Sequence, residues 1–302
     1  MASHFAADAP HLASCRPSAP EDRRPHSNGE ALSTAALAAS AAPDFRPKAK
    51  GDPFDLRTEP TVPKPRCVIE AIEPMKGLRL EDRKLYNVIL ALSWDRLQDP
   101  AASGGFSAPA IALRRAIDRK TAVDNQRLRD SLCRLERTKL SFPRLRLEGA
   151  PGEETMPLLS WALLPKGGRM VEWDFPPAIR PRLAAPTVWT QLHLAACARF
   201  QSKYALLLYE RLSLRRNLCH PVWRVSVDEL RAQLGASQRL AGWDPLRRRV
   251  IEPALVQIAA YTPFEVAMEP RPAPGSRLVT DIVFTVGVRA EPGTRFWLPR
   301  RS

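Results

Sequence analysis

The sequence predicts an α+β chain of two tandem winged-helix domains, each a helix-turn-helix followed by a β-hairpin, behind a disordered N-terminal tail. Three observations carry that prediction. Apolar residues recur at helical spacing in two separate clusters, each cluster runs into a pair of alternating stretches around a glycine-bearing turn, and the first 66 residues show no sustained apolar period.

A chain of 302 residues has room for two domains at about 150 residues each. Charge is the first functional signal: 46 Lys and Arg against 32 Asp and Glu leave +14, which suits a polyanion as partner. The excess lies in the domains and not in the tail. Residues 1–66 carry +1, residues 67–199 carry +6 and residues 200–302 carry +7. An Ala/Pro/Ser-rich segment of that kind reads as disordered, and residues 291–302 read as a short C-terminal tail.

The composition also excludes several classes. No run of 18 apolar residues is present to span a bilayer, and prolines at 10, 17 and 20 interrupt any secretory leader, so a cytoplasmic protein with no membrane partner is expected. Five cysteines, at 15, 67, 133, 197 and 219, form no Cys-x-x-Cys pair. Cys219 beside His220 is the nearest approach to a ligand pair, and two further ligands are missing. Neither a metal nor a cofactor is expected.

Taken in order, Leu85, Val88, Ile89 and Leu92 predict a helix over residues 80–97. Ser107 follows a Gly-Gly break and is positioned to cap a helix carrying Ile111, Leu113 and Ile117. The next helix, over residues 124–139, lines Leu128, Leu132 and Leu135 along one face and carries Arg127, Arg129, Arg134 and Arg137 on the others. Nine basic residues against four acidic ones over residues 106–142 concentrate charge on this helix-turn-helix candidate. Alternating stretches at residues 158–164 and 170–175 flank Gly167 and Gly168, which read as a hairpin turn. A phosphate loop would need a strand-to-helix transition with a Lys-Ser/Thr pair, and none surrounds them.

The second half repeats the order. Tyr204, Leu208 and Leu212 mark a helix over residues 202–216, and a short strand at residues 223–225 precedes a capping box formed by Ser226 and Glu229. That helix stops at Gly235, which suits the left-handed cap position. Asp244 followed by Pro245 signals a helix start, and Leu246, Val250, Ala254 and Ile258 line its buried face. Arg248 and Arg249 then point outward, whereas Arg247 lies nearer the apolar stripe. Pro253 inside this helix predicts a kink. Phe264, Val266 and Met268 alternate, as do Ile282, Phe284 and Val286, giving a second hairpin with Arg271 and Arg277 beside its tip.

Several of these segments resemble one family, the iteron-binding plasmid replication initiators with two winged-helix domains, over roughly residues 68–290. The helix Gln201-Ser202-Lys203-Tyr204-Ala205-Leu206-Leu207-Leu208-Tyr209-Glu210-Arg211-Leu212 is similar to the family's SKYA-x-x-LYE-x-L motif. So are Val227-Asp228-Glu229-Leu230-Arg231 with Leu234-Gly235, the run Arg247-Arg248-Arg249-Val250-Ile251-Glu252-Pro253-Ala254, and the closing Gly275-Ser276-Arg277-Leu278-Val279. The first domain matches by element order and by the helix over residues 76–92. The resemblance implies a first domain at 67–199 for dimerisation and backbone contacts and a second at 200–290 for sequence-specific binding. It further implies duplex origin repeats as target, a homodimer in equilibrium with monomer, repression of its own promoter by the dimer, and host replication factors as partners.

The physics assigns roles to particular residues. Lys203 and Tyr204 open a helix, where free amides and the dipole attract phosphate. The guanidinium forks of Arg248 and Arg249 fit the O6 and N7 of guanine, while Arg247, Arg277, Arg127 and Arg134 fit backbone contacts. For each the competing reading is a solvated or core-packed side chain; for Arg248 and Arg249 it is pairing with Glu252. The expected protein is not an enzyme: a nicking initiator needs a metal-bound His-x-His pair, and His193 stands alone. The alternative function is a winged-helix transcription regulator, which shares fold and charge and differs in seeking a palindromic operator. RNA binding lacks the aromatic platform of the usual modules.

Overall fold

A helix pair capped by a hairpin appears twice in the computed structural model, which describes residues 60–71, 77–99, 104–117, 124–145, 151–216, 218 and 220–289. Residues 1–59 and 290–302 lie outside the described residues, as does nearly all of the expected tail, and so do Lys76 and Cys219. All the described residues belong to one compact unit.

The chain enters through β1 (Thr61–Pro65) and α1 (Arg66–Ala71). The expected disorder therefore stops short of residue 66: β1 is buried along its length and pairs antiparallel with a later strand. The sequence conceals this because two prolines and a lysine carry no apolar alternation. The helix α2 (Leu80–Leu97) keeps its predicted bounds, with Asp82 accepting from the Arg79 amide at 2.7 Å. After it come β2 (Phe106–Pro109) and α3 (Ala110–Ile117). Ser107 is thus a strand residue, paired with Glu172, and does not cap α3; Pro109 closes the strand just ahead of the helix.

In α4 (Asn125–Arg137), Asp124 caps the Arg127 amide at 2.7 Å. A hairpin of β3 (Lys139–Leu145) and β4 (Pro151–Pro157) follows, then β5 (Trp161–Leu163) and β6 (Met170–Asp174). These last two strands form the predicted first wing, with Gly167 at φ +75° in its turn. The sheet order is β2-β6-β5. The helix α5 (Arg180–Ala184), β7 (Trp189–His193) and α6 (Leu194–Arg199) connect to the second half, and β7 is the partner of β1.

The second half opens with α7 (Lys203–Arg216), buried on every side from Ala205 to Leu214. A helix buried all round marks a central element, and α7 serves both halves. The β1–β7 ribbon is bound to it: Thr190 Oγ1 donates to the Ser213 carbonyl at 2.8 Å, the His193 amide donates to the Tyr209 hydroxyl at 3.1 Å, and Lys64 Nζ reaches Glu210 at 2.7 Å. Next come β8 (Val222–Ser226) and α8 (Val227–Leu234). The Ser226 hydroxyl accepts from the Glu229 amide at 3.1 Å, and Gly235 ends α8 at φ +59°.

The following helix is composite: α9 (Trp243–Leu246), a π-helical turn at Arg247–Ile251, and α10 (Glu252–Tyr261). Its start differs from the reading of Asp244 as cap. Gly242 occupies that position, and Asp244 lies in the first turn. Pro253 sits just inside α10, and the Glu252 amide bonds five residues back to the Arg247 carbonyl. The irregularity expected at Pro253 takes the form of a wide turn just ahead of the proline, one of the features at which helices kink. Leu246, Val250, Ala254 and Ile258 are all buried, as the four-residue spacing predicts. The strands β9 (Phe264–Pro272) and β10 (Val279–Val288) complete the second wing in the order β8-β10-β9.

Candidate nucleic-acid interface

The second helix-turn-helix consists of α8, the turn at Gly235 and the composite helix that begins at Trp243. Arg248 and Arg249 are exposed on the π turn, and among the described residues no hydrogen bond or ion pair engages either guanidinium. The competing reading paired them with Glu252. That carboxylate instead takes Arg247 Nη1 at 2.6 Å, and Arg247 Nη2 also reaches Asp244 at 3.3 Å. The hydrogen bond to Asp244, followed by the Glu252 charge, raises the Arg247 pKa. Arg247 thus holds α9 to α10 across the turn while its two neighbours stay available for a ligand.

Lys203 and Tyr204 open α7 beside this unit. Lys203 Nζ lies 3.4 Å from the Gly235 carbonyl and 5.0 Å from the Tyr204 ring centroid, so α7 touches the end of α8 through the lysine. Burial, then the Arg83 charge, lower its pKa. Tyr204 is half-buried against the core, and its amide is taken by Ser202 Oγ at 3.2 Å. Arg277 stands exposed at the wing turn, with no hydrogen bond or ion pair among the described residues.

The first domain arranges its cations differently. Arg134 grips the buried Asp82 through two contacts of 2.8 Å and reaches Glu81 at 3.1 Å, while Arg127 Nη2 lies 2.5 Å from Glu81. The hydrogen bond to Asp82 raises the Arg134 pKa. Both arginines therefore tie α4 to the start of α2. Their spacing carried this signal: Arg127, Ser131 and Arg134 share one stripe at i, i+4 and i+7, and Ser131 Oγ also donates to Asp82 at 2.5 Å. Lys166 and Arg169 stand exposed at the wing turn, alongside other exposed cations of this domain such as Arg115 and Arg137. Sequence reasoning also passed over Arg239, exposed in the short 3₁₀ turn Gln238–Leu240 between α8 and α9. Its position inside the helix-turn-helix loop was the available signal.

Among the described residues no cluster of three or more His, Cys, Asp or Glu is positioned to hold a metal, and no helix is long and apolar enough to cross a membrane.

Two family models match the chain: that of the initiator replication protein, WH1, over residues 69–213, and that of the initiator Rep protein, WH2, over residues 226–286. The first extends into α7, to residue 213, past the residue 199 at which the first domain is expected to end from the sequence. The fold is similar to the crystal structure of the Pi initiator protein in complex with iteron DNA, at 18% identity and a TM-score of 0.61, covering 76% of this chain and 98% of that one. The WH1 domain of a replication protein isolated from a multiple sclerosis patient also matches, at 21% identity and a TM-score of 0.26, covering 34% of this chain and 76% of that one. No curated protein matches the sequence.

Proposed function

The chain belongs to the initiator replication protein family, and we propose that it starts plasmid replication by binding short repeated duplex sites, iterons, at an origin. The observation that carries this reading is that Arg248 and Arg249, on the second helix of the second helix-turn-helix, are exposed and unpaired among the described residues. Arginine forks of this kind read guanine edges in the major groove. Lys203 and Arg277 supply phosphate contacts that position the helix without specifying sequence. Arg127 contributes to the backbone from its outer edge, whereas Arg134 acts by holding the first domain together.

In the same reading the chain acts in the cytoplasm without a covalent step on DNA. A monomer–dimer equilibrium runs through the first domain, the dimer represses its own promoter, and host replication factors are recruited at the origin. A footprint of the full chain on the DNA flanking its gene tests the core of this proposal. Protection of several short direct repeats is the expected result. Protection of one palindrome alone would identify a transcription regulator, because operator symmetry mirrors dimer symmetry.

A further inference from the structure

The second wing carries an apolar side chain where a solvated turn needs none. Leu278 is 67% exposed at the tip, next to the exposed Arg277. Isolated exposed leucines are ordinary, but three features set this one apart.

First, its backbone is held at both ends: the Leu278 amide donates to Ser276 Oγ at 3.0 Å, and its carbonyl accepts from the Ala273 amide at 2.9 Å. A further bond from the Ser276 amide to the Ala273 carbonyl, at 3.0 Å, closes the turn around Gly275 at φ +72°. Second, the arm that bears it is stiff and long. Pro270, Pro272 and Pro274 recur at every second position, each fixing φ, and no residue from 270 to 281 is fully buried. Leu278 lies four residues beyond the buried Ile282, just outside β10 and past its bulge between Val279 and Asp281, at most about 13 Å of chain, while the minor groove is about 7.5 Å deep. Third, the first wing shows the feature only in weaker form: its turn, Lys166-Gly167-Gly168-Arg169, is basic and glycine-rich, and Met170 beside it is 44% exposed against 67% for Leu278.

A cation beside an apolar side chain, both carried on a braced turn, matches what minor-groove wedges need. The cation is drawn to the groove, and the apolar group enters between base pairs and unstacks them. We infer that Leu278 is such a wedge, inserted at one base step by the second wing while Arg277 holds the groove. This rests on the reading of the chain as a DNA-binding initiator, and it adds a local distortion of the bound duplex to that reading.

The test uses the full chain and duplexes selected by the wild type from a random-sequence pool, with 2-aminopurine stepped through the site and fluorophores at both ends. The wild type should raise 2-aminopurine fluorescence at one step and shorten the end-to-end distance. Leu278→Ala should lose at least about half of both effects, with affinity kept within about tenfold, and Leu278→Met should retain them. Arg277→Ala should reduce the salt slope by about one while keeping the fluorescence rise. A rise absent from every wild-type complex, or one that Leu278→Ala leaves intact, overturns the wedge and leaves the initiator reading standing. Failure of the wild type to select any duplex overturns both.

Discussion

Lys64 Nζ lies 2.7 Å from the Glu210 carboxylate with both side chains 1% exposed, so an ion pair sealed from water joins the first strand to the helix shared by the two winged helices. Asn87 completes the cluster, accepting from Lys64 at 2.9 Å and donating to Glu210 at 3.1 Å. Lys64→Met strands the carboxylate in the interior and should destabilise the chain by about 3–5 kcal/mol. Adding Glu210→Leu should restore at least about 2 kcal/mol of that loss, because the uncompensated charge goes too. Urea unfolding of the two variants and the wild type checks the coupling; additive losses would show that the pair is not a unit.

The same pair shapes the acid limb of stability. Burial alone would raise the Glu210 carboxyl, but the Lys64 charge and the hydrogen bonds from Lys64 and Asn87 outweigh it and hold the group below the ordinary carboxylate range. A folded value below the unfolded one means that the unfolded chain binds the proton first as pH falls. The stabilisation is therefore complete above the unfolded value of about 4.3 and is lost as pH drops through the folded value. Unfolding free energy measured from pH 6 to pH 3 should fall more steeply for the wild type than for the Lys64→Met, Glu210→Leu double variant.

Two truncations that differ by seven residues should behave oppositely. Removing residues 1–59 leaves β1 in place and should leave folding intact and DNA affinity within about tenfold. Removing residues 1–66 takes away Lys64 and the strand paired with β7, and should lower the melting temperature by roughly 10 °C or prevent folding. Thermal melts and gel shifts of both proteins decide it. Equal stability of the two would make β1 dispensable.

Arg134→Ala should weaken DNA binding only through folding. Asp82 keeps the Arg79 amide and Ser131 but loses both guanidinium contacts, at a cost of about 2–3 kcal/mol. Under conditions where the variant is fully folded, its affinity should return to the wild-type value. A deficit that persists in folded protein would place Arg134 on the DNA.

Arg248→Ala and Arg249→Ala should each cost about 1–3 kcal/mol on the cognate repeat and relax preference at one base position. Lys203→Ala should weaken all sequences alike and reduce the salt slope by about one unit. Binding isotherms at several salt concentrations, on cognate and scrambled duplexes, separate the two. An unchanged cognate-to-scrambled ratio in both arginine variants would move base reading to another surface.

Much of this was legible in the residues. Four-residue spacing placed Leu246, Val250, Ala254 and Ile258 inside, and local chemistry placed the caps at Ser226 and Gly235, though not those read at Ser107 and Asp244. What stayed hidden depends on contacts distant in sequence. The strand β1 has no apolar alternation and is buried only because β7 and α7 meet it. Arg134 looks like a surface cation until Asp82, 52 residues earlier, is brought against it. Pro253 announced an irregular helix, but the wide turn ahead of it rests on an extra residue that no local spacing marks.

That extra residue has a consequence for how the composite helix can change. A π turn is one residue added to an otherwise α-helical path, and it sits between Trp243–Leu246, which begins the helix, and Glu252–Tyr261, which anchors it through Ala254 and Ile258. Deleting one residue of Arg247–Ile251 would remove the extra residue and turn everything upstream by about 100° relative to the anchor. The angular phase between anchor and reading face is thus set by the length of one turn. Single-residue insertions or deletions there re-aim the arginines, whereas substitutions at the same positions leave their direction unchanged.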